Sequence, residues 1–433
     1  RFESSDVHEY QRSQGVRAGK GNHVKLLFVH QTLGQFGGAE INIHLAAEEL
    51  GRRGCAIDLL YREKTGRGEP AWAGVFGSCL RLPNARRAEF IRGIVREGKH
   101  ELIYLHNLAD LEVIEALLDS GVPVARMVHD HSLYCMRTYK YNYFTRNICT
   151  RPASGYCVFP CLASLARNHV SAFPIRWASY REKRNEIALN RRCCAFVVYS
   201  EYQKRELIQN GFDARKIEVC APVRALNPAP TPGTGPKRNL ILYAGQVIRG
   251  KGVDSLLKAL ARVSADFQCL IFGDGNHKTH CEKLSRKLGL DGRVEFRGYC
   301  PPSKLRRHYL EARVFVMSSL WPEPFGMSGP EAMRYGLPVV AFDAGGIREW
   351  LIDGENGYLV RWNDVAQFAA RIDDLLRNPD RAAQLGRRAR ERMARYDAGH
   401  QIDNLLALFQ RVARVPSEDR APALEFQQSP VCL

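Results

Sequence analysis

The stretch Trp321–Phe342 reads WPEPFGMSGPEAMRYGLPVVAF and carries two carboxylates, Glu323 and Glu331. Pro322, Pro324, Gly326, Gly329 and Pro330 exclude a helix from its first half, so Glu323 is fixed in a stiff loop. Pro330 followed by Glu-Ala-Met-Arg-Tyr predicts a helix with proline at its first position. Glu331 then sits in a first turn, where the helix dipole keeps it ionised. Such a carboxylate complements the dipole and, in a cleft, can also accept bonds from vicinal hydroxyls. Between the glutamates, the backbone N–H groups of Phe325, Gly326, Met327 and Ser328, with the Ser328 hydroxyl, suit phosphate oxygens.

Other segments carry complementary chemistry. Ala244–Gly252, AGQVIRGKG, places Gln246, Arg249 and Lys251 just before a helix, and two cations there suit a diphosphate. GQFGGAE contributes Gly37 and Gly38 at a helix start, where a backbone can approach an anion closely. Gly273 in GDG and the AGG turn at 344–346 follow later strands.

These residues need a frame that brings strand ends together. From Val24, short apolar runs alternate with amphipathic stretches: VKLLFVHQ, AIDLLYR, ELIYLHN, PVARMVHDH, AFVVYS and KIEVCAP are strands between helices. Near-continuous apolar strands between helices specify a parallel sheet covered on both faces. Residues 222–238, rich in proline, form a linker. The alternation restarts at NLILYAG and runs through FQCLIFG, RVEFRG, RVFVMSS and PVVAF, with a helix expected from Ile347. The expected organisation is a loose segment 1–23, a first doubly wound α/β domain 24–221, the linker 222–238 and a second domain 239–396. A helix at 397–415 and a loose tail 416–433 complete it. Two such domains enclose a cleft between their strand C-termini, where α/β sheets bind ligands.

Composition sets outer bounds. Hydrophobic content of 45% and charged content of 25% describe a globular protein. No apolar run of about 18 residues marks a membrane span, and residues 1–23 lack the apolar core of a signal peptide. A net charge of +17 fits an anionic partner, such as phosphate or a lipid surface, and equally fits simple solubility. Thirteen cysteines, an odd number and many within apolar runs, point to reduced thiols and a cytoplasmic setting.

The whole pattern resembles the retaining nucleotide-sugar glycosyltransferases of family 4. It rests on S-x-W-P-E-P-F-G, the Glu323-x7-Glu331 spacing, G-L-P-V-V-A, G-G-I-R-E, G-x(5)-K-G-V-D, F-G-D-G, G-Y-L-V and G-G-A-E, in order over residues 24–415. The resemblance implies a GT-B fold, two facing Rossmann-like domains with the final helix crossing back to the first. It gives Glu331 the donor ribose, Glu323 the transferred sugar, and Lys251 with the 325–328 amides the leaving diphosphate. Gly37 and Gly38 would close on the diphosphate and acceptor side. His129, in MVHDHSLYC, matches the family histidine that contacts the donor sugar. The chain departs from the family at Gln246, where arginine is usual; Arg249 lies three residues on.

The expected reaction is transfer of a hexosyl group from a UDP- or GDP-sugar to a glycan or lipid-linked acceptor, with retention. It would serve surface polysaccharide or glycolipid synthesis at the inner face of the membrane. Cations and amide dipoles would stabilise the leaving group without a metal or other cofactor. The alternative is a catalytically silent GT-B module that binds glycans or protein partners. No recognised nucleic-acid motif accompanies the charge.

Two segments stay outside this pattern. The insert 132–162 carries Cys135, Cys149, Cys157 and Cys161, which fit packed thiols, a structural zinc or disulfides. Its aromatics Tyr134, Tyr139, Tyr141, Tyr143 and Phe144 fit either a core or an acceptor-sugar platform. Pro174–Arg192 reads as one basic helix, either interfacial at anionic lipid or merely solvated.

Overall fold

The computed structural model describes residues 24–34, 37–142, 144–167, 175–222, 237–394, 396 and 398–414. The expectations for residues 1–23, 223–236 and 416–433, and for Tyr143, lie outside these.

Strand β1 (Leu26–Leu33) leads into α1 (Gly38–Arg52), then β2 (Ile57–Lys64), α2 (Glu69–Ala73), β3 (Ser78–Arg81), α3 (Arg87–Gly98), β4 (Leu102–Leu105), α4 (Leu111–Leu118) and β5 (Val124–Met127). After the insert come a short antiparallel pair, β6 (Leu165–Arg167) and β7 (Ile175–Trp177), then α5 (Tyr180–Asn190), β8 (Ala195–Val198), α6 (Glu201–Gln209) and β9 (Ile217–Val219). The seven-stranded sheet runs β3-β2-β1-β4-β5-β8-β9, all parallel.

The second domain begins with β10 (Leu240–Ala244) and α7 (Val253–Leu260), followed by β11 (Gln268–Phe272), α8 (Lys278–Lys287), β12 (Val294–Gly298), α9 (Pro302–Glu311) and β13 (Val314–Met317). Then come α10 (Ser328–Arg334), β14 (Val339–Phe342), β15 (Gly357–Val360), α11 (Val365–Arg377), α12 (Pro379–Ala394) and α13 (Ala398–Ala413). The six-stranded parallel sheet is ordered β12-β11-β10-β13-β14-β15. In both sheets the order reverses beside the first strand, the switch point at which such folds open a ligand crevice.

All four residues of β4, β5, β8, β13 and β14 are buried, the charged Arg126 of β5 among them. Helix α13 returns to the first domain as expected. Phe409 packs edge-on to Tyr104 of β4 (4.8 Å between centroids), Arg53 holds Asp403 at 2.8 Å, and Arg411 pairs with Glu218.

Four local expectations change. Helix α10 begins at Ser328, so Pro330 stands third in it; the amide that proline lacks is an orphan there in any case. The segment from Ile347 is a single 3-10 turn, Gly346–Glu349. Pro174–Arg192 is not one helix. Trp177 ends strand β7, and α5 starts after Ser179, whose hydroxyl caps it by accepting from the Glu182 amide. Helix α5 turns Ile187 and Asn190 inward and ties Lys183 to the Ser132 carbonyl at 2.7 Å, so it rests on the protein rather than presenting an apolar face.

Candidate active site

The two loops that carry the sequence-predicted chemistry are sewn together by backbone bonds. Gly250 O accepts from Leu320 N (2.8 Å) and Trp321 N (3.0 Å), and Ser318 Oγ donates to Lys251 O (3.0 Å). Gly252 (φ +64°) starts α7, and a Cβ there would collide with the Ser318 carbonyl, so only glycine permits the join. Lys251 is thereby set beside Glu323, Nζ to Oε1 2.6 Å, with side chains 18% and 6% exposed. Ser319 Oγ and Trp321 Nε1 (3.0 Å) donate to the same oxygen, and the Lys251 ammonium lies 4.6 Å from the Trp321 ring centroid. Burial pushes the Glu323 carboxyl up, but Lys251 and the two further donors outweigh it and hold it below its ordinary value.

The carbonyls of the Pro-Glu-Pro-Phe loop are fixed one after another, from both domains. His131 Nε2 donates to Pro322 O (2.8 Å), Gly346 N to Glu323 O (2.7 Å), Ser200 Oγ to Pro324 O (2.7 Å) and Trp350 Nε1 to Phe325 O (2.6 Å). In a trans peptide the following N–H points opposite its carbonyl, so these bonds also set the directions of the Phe325 and Gly326 amides. Met327 and Ser328 continue the run into α10, with half-buried Glu331 in its first turn. From the first domain, Gly38 closes on this run: a Cβ added to it would stand 3.5 Å from Met327 Sδ. Gly37 precedes it, its N–H bonded to Glu40 Oε2 at 2.8 Å.

Gly273 (φ +137°) lets the loop after β11 press on the Gly245 carbonyl, and Val247 N donates to Asp274 O (2.9 Å). Gln246 is exposed there and Arg249 half-buried.

His129 stands differently from expectation. It is buried, with Tyr199 OH 2.7 Å from Nδ1 and His106 Nδ1 3.0 Å from Nε2, so both ring nitrogens face inward partners. Burial depresses its pKa to about 3, leaving it neutral. A sugar hydroxyl would reach Nε2 only by displacing His106. The sequence reading missed His131, two residues on; its repeat in His-Asp-His was the available signal. Ser200 and Glu349 were missed too, because their partners lie across the cleft: Glu349 Oε1 accepts from Glu201 N at 2.8 Å.

In the insert, all four cysteines are free thiols and line one small cavity with Lys140, Arg137 and Tyr134. Among the described residues no group of three or more His, Cys, Asp or Glu is placed to hold a metal ion. Tyr134 and Tyr141 are core residues, whereas Tyr139 stacks on Trp321, centroids 4.8 Å apart. A concavity of about 670 Å³ lies at the α11–α12 corner among Arg371, Arg377, Arg381 and Asp374. Asp374 there is bonded by Tyr358 OH and Asn378 Nδ2, and none of the residues above faces it.

Two Rossmann-like domains gripping a loop of fixed amides, beside a buried lysine–carboxylate pair, define a GT-B architecture. Family models agree: Glycosyltransferase Family 4 matches residues 36–222 and Glycosyl transferases group 1 matches residues 230–392. The chain belongs to the group 1, family 4 glycosyltransferases.

Among curated relatives, spore coat protein SA of Bacillus subtilis is 30% identical over 186 residues, 40% of this chain and 49% of that protein. Lipopolysaccharide core biosynthesis glycosyltransferase LpsE of Rhizobium meliloti is 33% identical over 162 residues, 37% and 45% of the two chains. The chain thus spans about half the length of the curated relatives it matches. Among solved structures, Anabaena HepE in complex with UDP and glucose superposes with a TM-score of 0.66 at 20% identity, over 89% of this chain and 98% of that one. A Rickettsia africae glycosyltransferase gives 0.68 at 17%, over 91% and 100%. At such identities the likeness speaks for the fold.

Proposed function

We propose that this protein transfers a hexosyl group from a UDP- or GDP-sugar to a glycan or lipid-linked acceptor with retention, in surface polysaccharide or glycolipid synthesis. The observation that carries this reading is the Lys251–Glu323 pair set against the oriented amides of 325–328 and the Glu331 carboxylate. Glu331 would take the ribose hydroxyls, the amides and Lys251 the diphosphate, and Glu323 the sugar. Lys251 is neutralised by Glu323 before a donor binds, so the incoming diphosphate shares that cation while a sugar hydroxyl takes up part of the carboxylate. Amide dipoles and cations aimed at the departing diphosphate supply charge stabilisation with no metal required. HepE, of the same fold, is known bound to UDP-glucose, and relatives include lipopolysaccharide and phosphatidylinositol mannoside transferases.

A lipid-linked acceptor is favoured by an apolar surface around the insert. Phe159 (76% exposed), Trp177 (70%), Phe144 and Leu165 are all exposed, Leu165 pairs with Trp177 across β6–β7, and Arg137 lies over Phe144. Exposed Arg181 and Arg184 follow on α5. Aromatics beside arginines suit peripheral binding to an anionic bilayer on the inner membrane face. Among the described residues no helix is long and apolar enough to cross a membrane.

A thermal-shift screen of UDP-, GDP- and ADP-sugars and their diphosphates tests the reading. One nucleotide series should raise Tm; stabilisation by none of them would sink it.

A further inference from the structure

The insert touches both domains through neighbouring residues. Lys140 turns inward, 2% exposed, and pairs with Glu206 of α6 at 2.7 Å, pinning the segment to the first domain. A turn closed by Asn142 N to Asn147 O and Arg146 N to Asn142 O (both 2.9 Å), flanked by the Tyr141–Ile148 bridge, stiffens the chain between those two residues. Tyr139, just before Lys140, points the other way and stacks on Trp321 of the second domain, 4.8 Å between centroids at 27°. Arg146 forks onto Asp254, its two terminal nitrogens 2.7 and 3.0 Å from the carboxylate oxygens.

Both contacts land beside the reacting pair. The Trp321 ring that Tyr139 covers also carries the Lys251 ammonium and donates Nε1–H to Glu323. Asp254 lies three residues after Lys251 in the first turn of α7, with its side chain 4% exposed. Letting Trp321 swing would release a donor from Glu323 and a ring from Lys251 together. Removing Arg146 would leave a buried carboxylate at the base of the lysine loop without its fork.

We propose that Tyr139 and Arg146 are positioning residues of the sugar-donor site: from the opposite domain they hold Lys251 and Glu323 in register. Donor geometry is then set by the insert as well as by the nucleotide-binding domain. This rests on the transferase reading above. Neither residue touches the donor in this scheme; both act through Trp321 and Asp254.

The test compares Y139A, Y139F, R146A and R146K with wild type. Tyr139 is 47% exposed, so Y139A keeps the fold even where R146A loses stability. In Y139A, kcat/KM for the sugar donor that most stabilises wild type should fall about tenfold, and the Kd of the matching diphosphate, which Lys251 helps to bind, should rise with it. Y139F keeps the stack and should match wild type. R146K, lacking the planar fork, should not rescue. Amide hydrogen exchange in 249–252 and 318–323 should accelerate in Y139A and R146A. Unchanged exchange in both segments, with unchanged donor kinetics, overturns the proposal whatever happens to Tm. If wild type turns over no nucleotide sugar, the transferase reading falls, and the exchange comparison alone decides the positioning role.

Discussion

Lys251 Nζ lies 2.6 Å from Glu323 Oε1, so the cation proposed for a diphosphate and the carboxylate proposed for a sugar neutralise each other before either ligand arrives. The site can therefore be dry and closed without an isolated charge. Nearly all of the Glu323 side chain is out of water, and that makes its dependence on the lysine severe.

Removing one partner of a buried pair leaves an uncompensated charge, and K251A should cost about 3 kcal/mol. The double variant K251M/E323Q should recover most of this, as a double-mutant cycle by urea unfolding would measure. The pH dependence follows the same pair. Glu323 is held below its ordinary 4.5, so its contribution is present above that pH and lost as pH falls through the lower folded value. E323Q should remove that part of the acid destabilisation in melts from pH 6 down to about 3.

Glu331 stands in the first turn of α10 beside the oriented amides, and the proposed function gives it the donor's vicinal hydroxyls. E331A should reduce the Tm shift that nucleotide gives wild type. It should also weaken nucleoside diphosphate binding about tenfold by calorimetry. Equal affinity in variant and wild type would remove the ribose from Glu331.

Gly252 and Gly289 share nearly the same left-handed φ, +64° and +66°, yet only Gly252 has a carbonyl where a Cβ would go. G289A should cost about 1–2 kcal/mol and leave nucleotide binding alone. G252A should cost more and abolish the Tm shift by nucleotide, because the Lys251 loop must part from Ser318. Similar behaviour of the two variants would show that the join does not matter to the site.

The exposed aromatics around the insert predict sedimentation with vesicles containing phosphatidylglycerol, weakening as salt rises. F159A/W177A should release the protein without changing its Tm. Binding to neutral vesicles equal to that on anionic ones would contradict the charge half of the idea.

Much of the frame was legible because central strands of a parallel sheet must be apolar on both faces; LILYA and VFVM, short apolar runs between helical stretches, fit that pattern. Strand β3, SCLR, escaped notice because an edge strand is only half covered and shows no apolar run. Within the site, local conformation was readable: proline and glycine set Glu323 in a stiff loop, and Lys251 was read in the turn before a helix where the structure has it. What could not be read were partners distant in sequence. Ser200 and Pro324 are 124 positions apart, and nothing in either neighbourhood announces the other. The inward bonds of His129 to His106 and Tyr199 were unreadable for the same reason, since they depend on three strands lying side by side.

The return of α13 to the first domain has a consequence for how this chain is made. Ile402, Leu405, Leu408 and Phe409 join a core cluster with Leu26, Phe28 and Tyr104, nearly the first and nearly the last described residues together. On the ribosome, the first sheet emerges hundreds of residues before the helix that covers it. That domain waits with an apolar flank open until residues 402–409 have emerged, and there a nascent-chain chaperone would find a surface to shield.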